Sequence, residues 1–188
     1  MKNIALFASG NGSNVENIVH HFRKTKTANV AVVFCNNPQA YVRERCMKLA
    51  IPCVLINKND MGESKNILNL LRDFEIDFIV LAGYLSMIPD YLIHAFPKKI
   101  INVHPALLPK FGGKGMFGIH VHKAVIETKE KQTGITIHYV NEHYDKGEII
   151  AQHTCEVTLN DTPETLAKKV QALELEYFPV AIEKITVN

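Results

Sequence analysis

Apolar residues in the first half of the chain fall in short runs separated by polar, glycine-containing breaks, and the spacing changes from run to run. Asn3 to Ala8 is a short continuous apolar run, the mark of a strand buried on both faces. From Asn14 to Lys24 the apolar positions Val15, Ile18, Val19 and Phe22 recur at helical spacing. A β-branched run, Val30 to Phe34, predicts a second strand, and Asn36-Asn37-Pro38 predicts the opening of a helix reaching about Leu49. Cys53 to Ile56 reads as a third strand, Lys65 to Phe74 as a helix, and Phe78 to Ala82 as a fourth strand. Strand and helix alternating at this spacing imply βαβ units, a parallel sheet and right-handed crossovers.

The second half has a different rhythm. Ile100 to Val103 is another short strand, followed by a long loop, Pro105 to Gly118, with two prolines and four glycines. Loops of that length are usually functional or disordered. His120 to Lys129 predicts a helix. Thr136, His138 and Val140 alternate with Ile135, Ile137 and Tyr139 as in a strand, and Glu148 to Val157 reads as its antiparallel partner across Asp145-Lys146-Gly147. Thr162-Pro163-Glu164 opens a last helix with Leu166, Val170, Leu173 and Tyr177 as its buried stripe. The whole pattern is α/β: one domain over residues 1–188, with a Rossmann-like parallel first half and a mixed sheet between two helical layers.

Composition narrows the function classes. A chain of 188 residues with 47% hydrophobic and 21% charged residues buries roughly 70% of its unfolded surface as one domain. A formal charge of +2, with no run of like charges, points away from nucleic acid and membrane surfaces. No stretch approaches the ~18 apolar residues of a membrane span. The start reads as a strand, not a signal peptide. Cys35, Cys46, Cys53 and Cys155 form no C-x-x-C pair, and reduced thiols in a cytoplasmic protein are expected.

Ligands of open α/β sheets sit beyond the carboxyl ends of the strands, so chemistry is expected in the loops there. Ser9-Gly10-Asn11-Gly12-Ser13-Asn14 joins a strand to a helix start, where glycines let backbone N–H groups approach an anion and the helix dipole favours it. Ser13 and Asn14 would add donors or cap the helix. The same glycines also suit a bare turn. The dinucleotide fingerprint is absent, because Val15 stands at its third glycine.

In Asn102-Val103-His104-Pro105, strand alternation projects Asn102 and His104 the same way, and Pro105 restrains His104 to extended geometry. An amide beside an imidazolium suits a developing oxyanion, although a strand end with locally satisfied polar groups has the same residues. Asp145 lies in a turn, where aspartates are commonly structural. Near His104, its carboxylate would favour the imidazolium. His120 and His122 do not share a helix face, and no metal-ligand spacing is present. His138 and His143 stay open, and nothing beside Cys35 activates it as a nucleophile.

On Gly10–Asn14, Val80-Leu81-Ala82-Gly83-Tyr84, Ile101–Lys110 with its N-x-H-P-x-L-L-P, Gly134–Val140 and Asp145, the chain resembles the phosphoribosylglycinamide formyltransferases. The resemblance covers nearly the whole chain and implies the formyltransferase fold. It implies formyl transfer from 10-formyltetrahydrofolate, as co-substrate and without a metal, to the amine of glycinamide ribonucleotide, in a monomer or homodimer. Residue by residue, it implies a catalytic trio of Asn102, His104 and Asp145. Gly12, Ser13 and Asn14 would take the ribose phosphate, and Glu174 the glycinamide end. Leu85, Ser86, Met87 and Ile88, with Asn102 and the loop Asn141, Glu142, His143, Tyr144, Asp145, would form the folate pocket, largely through backbone groups. Phe111–Gly118 would be a lid, and which residue of Asp60–Lys65, if any, contacts folate stays open.

Overall fold

A computed structural model describes residues 1–187. Seven strands form one sheet in the order β3-β2-β1-β4-β5-β6-β7. β1 (Lys2–Ala8), β2 (Ala28–Cys35), β3 (Cys53–Leu55), β4 (Phe78–Leu81) and β5 (Ile100–His104) run parallel, while β6 (Gln132–Tyr139) and β7 (Ile149–Glu156) are antiparallel. The sheet is therefore mixed, as the change of rhythm predicted.

Strand alternation divides the core in two. Ile4, Leu6 and Ala8 of β1 face one cluster, while Ala5 and Phe7 face the other. On the first face lie α1 (Ser13–Thr25), α2 (Val42–Lys48) and α7 (Pro163–Val187). On the second lie α3 (Lys58–Gly62), α4 (Ser64–Asp73) and α5 (Asp90–Ala95). α6 (Ile119–Glu127) packs on α7. Val15, Ile18, Val19 and Phe22, the stripe read from the sequence, are all buried on α1. On α7, Leu166 and Val170 are buried, and Leu173 and Tyr177 pack partly buried against the same cluster. No helix among the described residues is long and apolar enough to cross a membrane.

The start of one helix differs from the sequence reading. α2 begins at Val42, not at Asn36. Asn37 folds into an Asx turn, its Oδ1 accepting from Gln39 N–H at 3.0 Å, and its backbone carbonyl takes the Ala40 N–H at 3.1 Å. That local bonding competes with helix and delays it. α3 and α5 are additional short helices. α3 carries a reciprocal capping box, with Asn57 accepting from Asp60 N–H and Asp60 from Asn57 N–H.

Candidate functional site

A cleft of about 580 Å³ opens beyond the carboxyl ends of β1, β4 and β5, closed on one side by α7 and on the other by the loops 83–88, 111–118 and 140–145. Its mouth carries exposed apolar side chains, Leu85, Met87, Phe117 and Tyr144. Below them lie Leu81, Tyr84, Ile88 and Val140. Tyr84 bonds Ser86 and Asn36, and burial pushes its phenol up to about 12. An apolar cleft with a few convergent polar groups is the usual form of a small-molecule site.

One end of the cleft is the turn between β1 and α1. Gly12 caps α1 in the left-handed region, φ 80°, with no side-chain cap. Neither Ser13 nor Asn14 is the cap, so that alternative is corrected. Glycine is required there twice over: a Cβ would also stand 2.5 Å from Val42 Cγ2. The first-turn N–H groups are left for a ligand. Ser13 Oγ accepts from Gln171 Nε2 at 3.1 Å. Asn14 Nδ2 donates to Glu174 Oε2 at 2.7 Å, and Asn14 Oδ1 is buried without a partner. The Asn14 amide therefore faces Glu174, not outward as an anion donor. Burial pushes the Glu174 carboxyl above its ordinary range, and the bond from Asn14 partly offsets this. An acceptor pair, Asn14 Oδ1 and Glu174, suits a ligand bearing N–H or O–H donors.

The polar centre is built on β5 and β6. Their register sets Asn102 opposite His138 and His104 opposite Thr136. His138 Nδ1 lies 2.8 Å from Tyr139 O, which can only accept, so Nδ1 carries the proton. Burial pushes His138 below its ordinary value, with Tyr139 O and Asp145 offsetting in part, so the ring is neutral. Its Nε2 then accepts, and the group 3.1 Å away is the NH2 of Asn102. The orientation of the Asn102 amide follows from this network, and its second N–H remains available. His104 has 4% exposure; Nε2 donates to Phe111 O at 2.7 Å and Nδ1 lies 3.5 Å from Asp145 Oδ2. Both ring nitrogens therefore face acceptors. Asp145, 12% exposed, lies between the two histidines, with Oδ1 3.7 Å from His138 Nε2.

Backbone contacts hold this centre. Asp145 sits at φ 53°, and its Oδ2 accepts from Gly113 N–H at 2.8 Å. Asn141 closes the turn before it, donating to Lys146 O and accepting from His143 N–H. Gly147 has no room for a side chain against Tyr139 O. The segment after His104 hangs on Thr136, whose fully buried hydroxyl donates to Ala106 O at 2.7 Å and accepts from Leu108 N–H at 2.9 Å and Gln152 Nε2 at 2.9 Å.

Of the residues singled out from sequence, Asn14, Leu85, Ser86, Met87, Ile88, Asn102, His104, Asn141, His143, Tyr144, Asp145 and Glu174 line the one cleft, with Gly12 and Ser13 adjoining Asn14 at its edge. Glu142 does not line it; its carboxylate lies 3.6 Å from His94. Sequence reasoning left His138 open and passed over Thr136 and Gln152, whose roles come from cross-strand register. It also passed over Lys114, Lys168 and Gln171, which line the cleft. His122, set aside as half of an idle H-x-H, is buried on the cleft wall. Its Nδ1 is unpartnered, and burial and His104 push it below its ordinary value. No cluster of metal-ligating residues occurs among the described residues.

Known proteins resemble the chain over most of its length. The formyl transferase family model matches residues 2–182. The chain is 44% identical over 176 residues to the chloroplastic phosphoribosylglycinamide formyltransferase of Arabidopsis thaliana, covering 90% of this chain but only 60% of that protein. It is 40% identical to the phosphoribosylglycinamide formyltransferase of Bacillus subtilis, covering 98% of this chain and 95% of the relative. Among solved structures, glycinamide ribonucleotide transformylase 1 from Geobacillus kaustophilus superposes with a TM-score of 0.90 at 33% identity, covering 99% of each chain.

Proposed function

We propose, from the premise that this chain belongs to the formyl transferase family, that it transfers the formyl group of 10-formyltetrahydrofolate to the amine of 5′-phosphoribosylglycinamide, a step of purine biosynthesis. The observation that carries this reading is the convergence of Asn102, His104 and Asp145 in one cleft with the β1–α1 turn and Glu174. The phosphate is assigned to the first-turn N–H groups beside Gly12, with Lys168 adding positive charge. Glu174 and Asn14 Oδ1 accept from the ribonucleotide's donors. The pteridine is assigned to Leu85–Ile88 and to Asn141, His143, Tyr144 and Asp145 of the loop that the resemblance implies.

The amine attacks the formyl carbon, and the carbonyl oxygen becomes an oxyanion. The free N–H of Asn102 donates to it, and His104 donates as imidazolium. For that, the formyl oxygen takes the Nε2–H now held by Phe111 O, so substrate binding displaces the start of the loop 111–118. Asp145 stays paired with the imidazolium through Nδ1. When the bond from carbon to the folate nitrogen breaks, the proton lost by the amine passes to that nitrogen through water held at Asp145. No covalent enzyme intermediate is required, since the substrate brings its own nucleophile. Holding two substrates in line is worth ~7–11 kcal/mol of the barrier.

The test is an absorbance assay of 10-formyltetrahydrofolate or 10-formyl-dideazafolate consumption, with and without the ribonucleotide. Turnover should require the ribonucleotide and fall ~10²–10³-fold in His104→Ala. Formate release without the ribonucleotide would instead identify a hydrolase and refute the transfer reading.

A further inference from the structure

α7 is one unbroken helix of 25 residues, Pro163–Val187, with a buried proline, Pro179, in its interior. Proline has no N–H, and its ring crowds the carbonyl four residues earlier. The carbonyl that loses its helical donor is therefore that of Leu175. A backbone carbonyl removed from solvent needs a partner. Here the partner comes from another helix: Asn17 Nδ2 of α1 donates to Leu175 O at 2.6 Å, in a partly buried contact. A carbonyl only accepts, so the NH2 of Asn17 is the group that faces it.

Asn17 belongs to a polar seam between α1 and α7. Asn14, Asn17 and His21 follow one another at helical spacing and so share one face of α1. Asn14 meets Glu174, the residue before Leu175. His21 Nε2 lies 2.8 Å from Glu183 Oε2, and Thr27 Oγ1 donates to Glu183 Oε1 at 2.8 Å. The seam therefore holds α7 on both sides of Pro179. Before the proline, it meets the stretch that carries Gln171 and Glu174 along the cleft. Beyond it, Ala181 and Ile182 are buried in the core. Of these bonds, the one to Leu175 O grips the backbone, so it fixes the helix and not a side chain alone.

We propose that Asn17 is a positioning residue for the ribonucleotide end of the cleft: it supplies the donor that Pro179 denies to Leu175 O, and so sets the stretch of α7 from which Gln171 and Glu174 reach the ligand. This role rests on the reading of Glu174 as the group that meets the ribonucleotide. Asn17 does not line the cleft itself. The bond from Asn14 orients the Glu174 carboxylate, whereas the bond at Leu175 places the backbone that carries it. A misplacement of ~1 Å in a group that holds a substrate costs up to ~10²-fold, so loss of the tie is felt at the ribonucleotide. The loops assigned to folate follow β4 and β6, not α1 or α7, and folate should be indifferent to it.

Steady-state kinetics of the wild type, Asn17→Ala, Pro179→Ala and the double variant test this. In Asn17→Ala the KM for the ribonucleotide should rise about three- to tenfold, the worth of one hydrogen bond. The kcat and the KM for 10-formyltetrahydrofolate should stay within about twofold, a split that general loosening of the protein would not give. Pro179→Ala gives Leu175 O a donor from its own helix. In that background, removing Asn17 should change the ribonucleotide KM by less than about twofold. Asn17→Asp keeps the shape of the side chain without the donor and should be at least as impaired as Asn17→Ala. An unchanged ribonucleotide KM in Asn17→Ala, a rise shared equally by both substrates, or the same rise with and without Pro179 overturns the role. Amide hydrogen exchange over residues 171–178, measured without ligand, should accelerate in Asn17→Ala and not in the double variant; equal exchange in all four proteins overturns the tie. Glu174→Gln with an unchanged ribonucleotide KM strikes the reading of Glu174 alone, since the exchange still reports whether Asn17 holds α7.

Discussion

Replacing Gly12 by alanine tests the turn that is assigned the phosphate. The Cβ would meet Val42 Cγ2 at 2.5 Å, Val42 Cβ at 2.7 Å and Val42 Cα at 2.9 Å. Two costs add. Holding alanine at φ 80° costs ~1–2 kcal/mol, and overpacking against a side chain with 0% exposure costs ~1–3 kcal/mol. The expected loss is about 2–5 kcal/mol, a large part of the ~5–15 kcal/mol that holds a domain folded. Val42→Ala alone leaves a small cavity and costs about 1–3 kcal/mol. In the double mutant the clash with Cγ2 disappears, but those with Cβ and with the backbone Cα remain. The two effects should therefore be less than additive by about 1 kcal/mol or more. Urea denaturation of the four proteins measures this. Because the backbone must still move, the KM for the ribonucleotide should stay raised in the double mutant even as stability partly returns. Additivity within about 0.5 kcal/mol, together with an unchanged KM in Gly12→Ala, would refute the reasoning.

Three further outcomes are expected. Thr136→Val keeps the shape of a fully buried side chain but orphans Leu108 N–H and Ala106 O, so stability should drop about 2–4 kcal/mol in chemical denaturation; a drop under about 0.5 kcal/mol removes Thr136 as the anchor of that segment. Asp145→Asn still accepts from Gly113 N–H but no longer pairs with an imidazolium, so kcat should fall at least ~10²-fold with little change in KM, and an unchanged kcat counts against the assigned role. His122 and His138 are both held below their ordinary 6.5; the unfolded chain binds these protons first, so stability is full above pH 6.5 and is lost as pH falls through the depressed folded values, read as a melting temperature that declines between about pH 7 and 5. That decline should be shallower in His122→Gln, and an identical profile denies His122 its part.

The sequence carried the sheet and most helices because burial imposes period. The two faces of β1 and the stripe of α1 are readable from apolar spacing alone. The start of α2 was not, because Asn37 spends its polar groups on a turn that looks, in one dimension, like a helix cap. That Asn102 and His104 point the same way was legible through strand alternation, and Asp145 joined them only through the family resemblance. His138 was not legible, because its importance lies in standing opposite Asn102 across two antiparallel strands. A register cannot be read from either strand by itself. Glu142 lies off the cleft while its loop neighbours line it, because a loop's membership in a site does not fix which of its side chains face inward.

The bonds joining the β1–α1 turn to α7, Asn14 to Glu174 and Ser13 to Gln171, connect residues 160 and 158 positions apart. Such closures are entropically late in folding. α7 is also synthesised after every strand of the sheet. A nascent chain can complete its parallel half and even pair β5 with β6 while one wall of the cleft is still missing. The end of the cleft that pairs Asn14 with Glu174 is therefore complete only when α7 docks, the last event in building the site.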